Sequence, residues 1–274
     1  MNLPRRWPSQ IEGQRLLLGA LGALLVVFLL VPLLALFVTA SPGQLAEGLR
    51  HPLVWPALGL SLSTTSLSLL LVLGFGTPLS WVLAHSRTSG ARALETCLQL
   101  PMVVPPAVAG VALLLAFGRR GLLASWAYPE GWSVAFTTAA VVMAQTFVSA
   151  PFFLQAATAA FRRLDPNLLV VARTFGASPL RVFIRVGLPL AGPGLVTGAA
   201  MSWARALGEF GATLMFAGNL EGHTQTLPLA IYTALASDLR AAQALSVILV
   251  VVAFALLLGV RGVFHRTAAK EPRT

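Results

Sequence analysis

Long apolar stretches recur along the chain, separated by shorter segments that carry most of its charge. A helix of about 20 apolar residues crosses the ~30 Å hydrocarbon core of a bilayer. Stretches of that length cover 16–38, 56–84, 98–117, 134–160, 190–216 and 243–262, which predicts six membrane-spanning helices. The second holds Gly74, Gly76 and Pro78, which predict a bend or break. The first follows Arg5, Arg6 and Arg15, as a signal peptide would. Its apolar run exceeds the roughly 7–15 residues of a signal core and shows no small-residue cleavage site near Thr39, so a retained anchor is expected.

Composition agrees with that pattern. Of 274 residues 57% are hydrophobic and 10% charged, and the mean hydropathy is +0.80. A soluble domain carries about 25% charged residues, so the expected class is an all-α integral membrane protein. The net charge of +10 would suggest nucleic acid in a soluble chain. On six spans it sorts by side instead. Arg5, Arg6 and Arg15 precede the first span, and Arg87 and Arg92 lie in the second loop. Arg162, Arg163, Arg173, Arg181 and Arg185 lie in the fourth loop, and Arg261, Arg266, Lys270 and Arg273 in the tail. Arg50, Arg119, Arg120 and Arg240 fall on the other side. The bias puts both termini in the cytoplasm, in the cytoplasmic membrane, and implies no nucleic-acid partner. Cys97 is the only cysteine, so no intrachain disulfide or cysteine metal site is expected. The only lysine, Lys270, stands outside any Gly-Lys-Ser/Thr sequence, and the HExxH and GxSxG patterns are absent. No catalytic residue is expected.

The fourth loop reads as two short helices around a hinge. Asp165 can cap the first, with Pro166 at its first position. Leu168, Leu169, Ala172 and Phe175 share a face, and Gly176 suits a left-handed stop. Ser178 can cap the second helix, opened by Pro179. Arg181 and Arg185 then face one way, and Phe183 and Ile184 another. Pro189 is expected to block continuation into the fifth span. Such an apolar knuckle either folds onto its own helix ends or docks into a partner.

The fifth span contains Arg205 and Glu209, about 16 Å and about 22 Å along a helix begun at Gly194. A charge that deep costs at least ~2.5 kcal/mol, and residues four apart on a helix can pair. Ser202, Gly208, Ala212 and Thr213 continue the stripe, and Gly194 and Gly198 permit close helix approach. The stripe either lines a translocation path or gate, or is a structural pair at an interface. An acid beside the arginine argues against a strong anion trap and for a gate or relay. Arg119 and Arg120, in FGRRG, either contact an outer anion or binding protein, or are solvated at headgroup level. His51 and His223 read as surface residues.

The loop resembles the cytoplasmic EAA signature of ATP-binding-cassette importer permeases: Glu-Ala-Ala, three residues, Gly, nine residues, Ile, any residue, Leu-Pro. Here Ala172 closes the triplet, Gly176 is the glycine, and Val186, Leu188 and Pro189 end the pattern. Val170 and Val171 replace the Glu and Ala, so the polar contact of that Glu is missing. GEFGATLMFAGN, TQTLPLAIYTAL and FGRRG are similar to molybdate-type oxyanion permeases, and sulfate permeases share the Gly-Glu-aromatic-Gly stretch. The resemblance implies a six-helix type I ABC importer transmembrane domain. Its core would span 55–262, after an N-terminal segment, first helix and outer loop over 1–54 and before a basic tail over 263–274. It implies a loop of about 161–189 in which Ala172, Arg173, Thr174, Phe175, Gly176, Ala177, Ser178, Pro179 and Arg181 couple to a cassette ATPase. It also implies a homodimer, an extracytoplasmic molybdate-binding protein, and ATP and Mg held by the ATPase partner rather than by this chain. Sulfate or tungstate permeases are the alternatives in class. An ion-coupled secondary transporter is the alternative outside it, with Glu209 its only deep acid.

Overall fold

The computed structural model describes residues 9–124 and 133–268; Arg5, Arg6, Lys270 and Arg273 lie outside them. The described residues form only helices and turns. They are α1 (Ser9–Val38), α2 (Pro42–Gly48), α3 (Val54–His85), α4 (Ser89–Val103), α5 (Pro106–Phe117) and α6 (Thr138–Arg162). Then follow α7 (Pro166–Thr174), α8 (Pro179–Val182), a π-helical turn (Phe183–Gly187), α9 (Leu188–Leu207), α10 (Gly211–Ala217), α11 (Leu227–Ser237) and α12 (Leu239–Ala268). Five stretches are long and apolar enough to cross a bilayer, and α4 with α5 make a sixth if a bent pair counts as one span.

Burial follows a rule suited to lipid. Along α3 the buried positions are Val54, Ala57, Ser61, Thr64, Thr65, Ser68, Val72, Gly76, Ser80 and Leu83, a helical stripe of mostly small residues. Leu67, Leu70, Phe75 and Val82 face outward. Lipid removes the hydrophobic drive between helices, so close backbone approach and polar contacts hold the bundle. Gly76 shows this: an added Cβ would lie 2.9 Å from the Phe153 ring. It serves packing, and α3 runs unbroken through Gly74, Gly76 and Pro78, so there is no break. α1 carries the same logic to its limit. None of its spanning stretch is buried, and Gln243 ties its end by donating to the Leu36 carbonyl (3.2 Å) and Thr39 Oγ1 (2.8 Å).

The single span expected at 98–117 is two helices bent by 115°. Val104 precedes Pro105, and both are extended, with ψ of 129° and 136°; proline disfavours the helical region for the residue before it, and two prolines follow in succession here. Pro106 then opens α5, which at about 18 Å cannot span ~30 Å alone. α6 is the most buried long helix and packs between α3 and α9. Its contact with α9 uses the two expected glycines. A Cβ at Gly194 would collide with Ala160, and one at Gly198 would lie 3.0 Å from Ala156 Cβ. The two helices are therefore antiparallel. α5 crosses α10 through another glycine pair, Gly110 against Ala212 and Met215, and Gly211 against Pro106.

Candidate functional site

The fifth span does not reach 216. α9 stops at Leu207, Gly208 ends it, and α10 begins at Gly211. Glu209 therefore stands in the break, not within a helix, and is only 1% exposed. One carboxylate oxygen accepts from the Ala212 N–H at 2.7 Å, which caps α10. The other lies 2.8 Å from an Arg205 guanidinium nitrogen, without the alignment of a hydrogen bond. The Arg205 side chain keeps 26% of its surface. The pair is thus a buried anion neutralised by a cation whose far side is open.

The predicted stripe separates at this point. Arg205 is accessible, whereas Ser202 and Thr213 are buried, and their hydroxyls have no protein partner. The antiparallel register set by Gly194–Ala160 and Gly198–Ala156 brings Arg205, in the last turn of α9, level with Ser149 of α6, and Gln145 lies one turn further along α6. Both are buried, and Ser149 Oγ and Gln145 Oε1 lack protein partners too. These polar residues of α6, α9 and α10, Arg205 excepted, are thus a buried seam rather than an exposed stripe.

That seam continues on α3, which sequence reasoning treated only as apolar length. Trp203 Nε1 donates to Thr65 Oγ1 at 3.0 Å, and Thr146 to Ser68 at 3.0 Å. The Leu227 N–H at the start of α11 donates to Ser61 Oγ at 2.7 Å. The signal was present: Ser61, Thr64, Thr65 and Ser68 recur at helical spacing inside the second span.

The fourth loop takes the form its capping residues predict. Asp165 Oδ1 accepts from the Asn167 N–H at 2.9 Å. Gly176 has φ of +82°, the Ala177 N–H donates to the Ala172 carbonyl, and the Gly176 N–H donates to that of Arg173. These bonds form the Schellman stop. Thr174 bonds back to the Val171 carbonyl at 2.8 Å, and Ser178 caps α8 through the Arg181 N–H at 3.4 Å. The apolar face divides: Leu169 and Ala172 are half-buried against the chain itself, and the rest stays open. Phe175 is 87% exposed, Leu168, Val170, Val171, Leu180 and Ile184 are also exposed, and α7 buries nothing. Arg173, Pro179, Arg181 and Arg185 are solvent-facing as well.

Pro189 does not block continuation. Helix runs from Pro179 to Leu207 through the π turn, where the Leu188 N–H reaches back to the Phe183 carbonyl. A widened turn of this kind rehouses the bonds a proline removes. Phe183 and Ile184 part company: Ile184 stays exposed, and Phe183 packs 5.3 Å from Trp81 and 6.3 Å from Phe161. Gly187 is needed beside them, since a Cβ would meet the Trp81 ring at 2.5 Å. Nearby, Arg162 forms a two-pronged pair with Glu95 at 2.7 and 3.0 Å, fastening α4 to the end of α6.

Arg119 and Arg120 are exposed in a turn folded back on the end of α5, where the Leu122 N–H donates to the Leu115 carbonyl. Leu113 of α5 packs with Ala140 and Val141 at the start of α6. The doublet is therefore at the opposite end of the bundle from the α7–α8 loop. His223 is exposed, and its carbonyl accepts from Thr138 at 2.9 Å. The His51 ring accepts from the Leu53 N–H.

Comparison with known proteins adds the following. Residues 76–269 match the family described as binding-protein-dependent transport system inner membrane component. The chain is 46% identical over 235 residues to the molybdenum transport system permease protein ModB of Mycobacterium tuberculosis, covering 86% of this chain and 89% of that one. It is 36% identical over 203 residues to the molybdate/tungstate transport system permease protein WtpB of Thermococcus kodakarensis, covering 73% and 77%. Among solved structures, a bacterial ABC transporter involved in import of the polysaccharide alginate aligns with a TM-score of 0.74 at 17% identity, over 94% of this chain and 97% of that one. That likeness concerns the fold alone.

Proposed function

Because the chain belongs to the family of binding-protein-dependent transport system inner membrane components, we propose that it is the permease subunit of an ATP-driven importer that moves molybdate across the cytoplasmic membrane. The similarity to molybdenum permeases over most of both chains supports this cargo. One structural observation carries the mechanism: helix is continuous from Pro179, beside the exposed knuckle, to Leu207, beside the ion pair. Arg181 and Arg205 are about 36 Å apart along it, so a push at the loop moves the pair.

In this reading a cassette ATPase takes Phe175 and its neighbours into a groove, binding ATP and Mg itself. The chain contributes path and lever, with no chemistry of its own. Two copies enclose the path, both termini lie in the cytoplasm, and a binding protein delivers the anion at the end marked by Arg119 and Arg120. Arg205 offers its open N–H groups to the passing oxyanion. Glu209 offsets the charge, so the anion is guided without being held; conduction requires release as well as entry. Ser202 and Thr213 act from behind, in the buried seam.

Replacing Gly176 with Val tests the lever. The left-handed backbone there costs a residue with a Cβ roughly 1–2 kcal/mol, so the Schellman stop and knuckle are displaced. The expected result is normal membrane insertion with loss of ATPase co-purification and of molybdate uptake; intact co-purification refutes the docking role. Competition of tungstate and sulfate against labelled molybdate tests the cargo. The relative from Thermococcus, named for both molybdate and tungstate, favours tungstate as the stronger competitor.

A further inference from the structure

The loop end of the molecule has a feature that transport does not use. A cavity of about 600 Å³ opens between the end of α3, α4, the end of α6 and the start of α7. His85, Arg87, Arg92 and Arg162 line it, with Phe161 and Leu169 among its apolar wall. Its charge is unbalanced. Arg162 is committed to Glu95, and among the described residues Asp165, between the lining residues Leu164 and Pro166, uses one carboxylate oxygen to cap α7. Arg92 reaches only the neutral Ser89 hydroxyl, at 3.5 Å. Arg87 has no hydrogen bond or ion pair among the described residues. His85 places Nδ1 2.8 Å from the Trp81 carbonyl, which can only accept, so Nε2 is left without a protein partner.

Surface arginines usually stand apart in water. Here two uncommitted guanidinium groups share one concave space with an apolar wall. Its volume lies within the range of about 300–1,000 Å³ typical of small-molecule sites. Guanidinium forks match the oxygens of a tetrahedral anion two at a time. The geometry points to a binding site for a tetrahedral oxyanion group, supplied by the headgroup of an anionic phospholipid or by a free phosphate-type anion. Basic pockets between helices on the cytoplasmic side suit phospholipid heads, and the apolar wall suits the glycerol and chain beneath one. An occupant touches Leu169 on α7 and Phe161 in the aromatic cluster under the π turn, so it ties the start of the coupling loop to the bundle. The site does not depend on which anion is transported.

The test uses the complete complex of this chain with its ATPase subunits, in nanodiscs of phosphatidylcholine with or without phosphatidylglycerol. Native mass spectrometry counts retained phosphatidylglycerol, and equilibrium dialysis measures labelled inorganic phosphate in the phosphatidylcholine discs. The double variant Arg87→Gln/Arg92→Gln is expected to weaken binding in one arm about 25-fold, about fivefold per arginine. The charge-matched control Arg15→Gln/Arg163→Gln leaves it unchanged. Loss in the first arm identifies a lipid headgroup, and loss in the second a free anion. Equal losses in the two variants, or no binding by the unmodified complex in either arm, as when the ATPase fills the cavity, overturn the site.

Discussion

Removing the two members of the intramembrane pair separately and together measures what the helix break does. At a charge separation of ~4 Å and an effective dielectric of ~20 the attraction is about 4 kcal/mol. The Arg205 side chain keeps 26% of its surface, and screening on that side reduces the coupling to about 2 kcal/mol. The two single variants are unequal. Glu209→Gln retains an oxygen to accept from the Ala212 N–H, and Arg205 can turn to its open side. Arg205→Met leaves a carboxylate that is 1% exposed with no counter-charge, and so loses the whole of that coupling, about 2 kcal/mol. The double variant Arg205→Met/Glu209→Gln removes that unpaired charge and is expected to be about as stable as Glu209→Gln alone. Reversible unfolding of the purified chain in mixed micelles, followed by tryptophan fluorescence, yields the cycle. Molybdate uptake is expected to fall in all three variants. Additivity of the single effects within about 0.5 kcal/mol refutes the reasoning.

Phe175→Ala removes an exposed apolar anchor. It is expected to leave the chain's own stability unchanged and to weaken ATPase association by about 2 kcal/mol, some 30-fold, in a pull-down titration. Gly198→Ile brings a branched side chain against Ala156 and Phe153 and is expected to cost about 1–3 kcal/mol in the same unfolding assay. Gly192→Ala, with nothing within 4 Å, is the matched control. Ser61→Ala orphans the Leu227 N–H and is expected to destabilise by about 1–3 kcal/mol. Ser63→Ala, whose exposed hydroxyl only bonds back to the Leu60 carbonyl, stays within ~0.5 kcal/mol.

The prolines show which parts of this architecture a sequence makes legible. Reading apolar length identified the all-α membrane class and the approximate place of five spans, because the bilayer sets both. It placed one helix over 98–117 and a stop at Pro189, and the backbone does the reverse at both. A lone proline removes one donor, and the π turn at Phe183–Gly187 absorbs that loss while Trp81 and Phe161 pack against Phe183. Adjacent prolines leave no such adjustment: Val104 and Pro105 are both driven extended, and the chain turns by 115°. The first outcome involves Trp81, about a hundred positions upstream of Phe183, which no local pattern discloses. The second was local, and the run Pro105-Pro106 signalled it.

Charge and burial divide in the same way. The caps of the fourth loop were legible in detail because Asp165, Gly176 and Ser178 act on backbone within three residues of themselves. The pairing of Arg205 with Glu209 was legible from their spacing. The break at Gly208 was not, since Gly110 of α5 must reach α10 for that geometry to form. The hydroxyl stripe of α3 escaped because in a bilayer both faces of a helix read as apolar length. What distinguishes its buried face is small size and hydroxyl content, and that distinction has a use here. In the proposed mechanism, the Ser and Thr between α3, α6 and α9 would offer polar contacts that can be exchanged as α9 shifts, whereas interlocked large side chains would resist the movement. In that mechanism, the features that hold the bundle together would thus also be those that let the lever move.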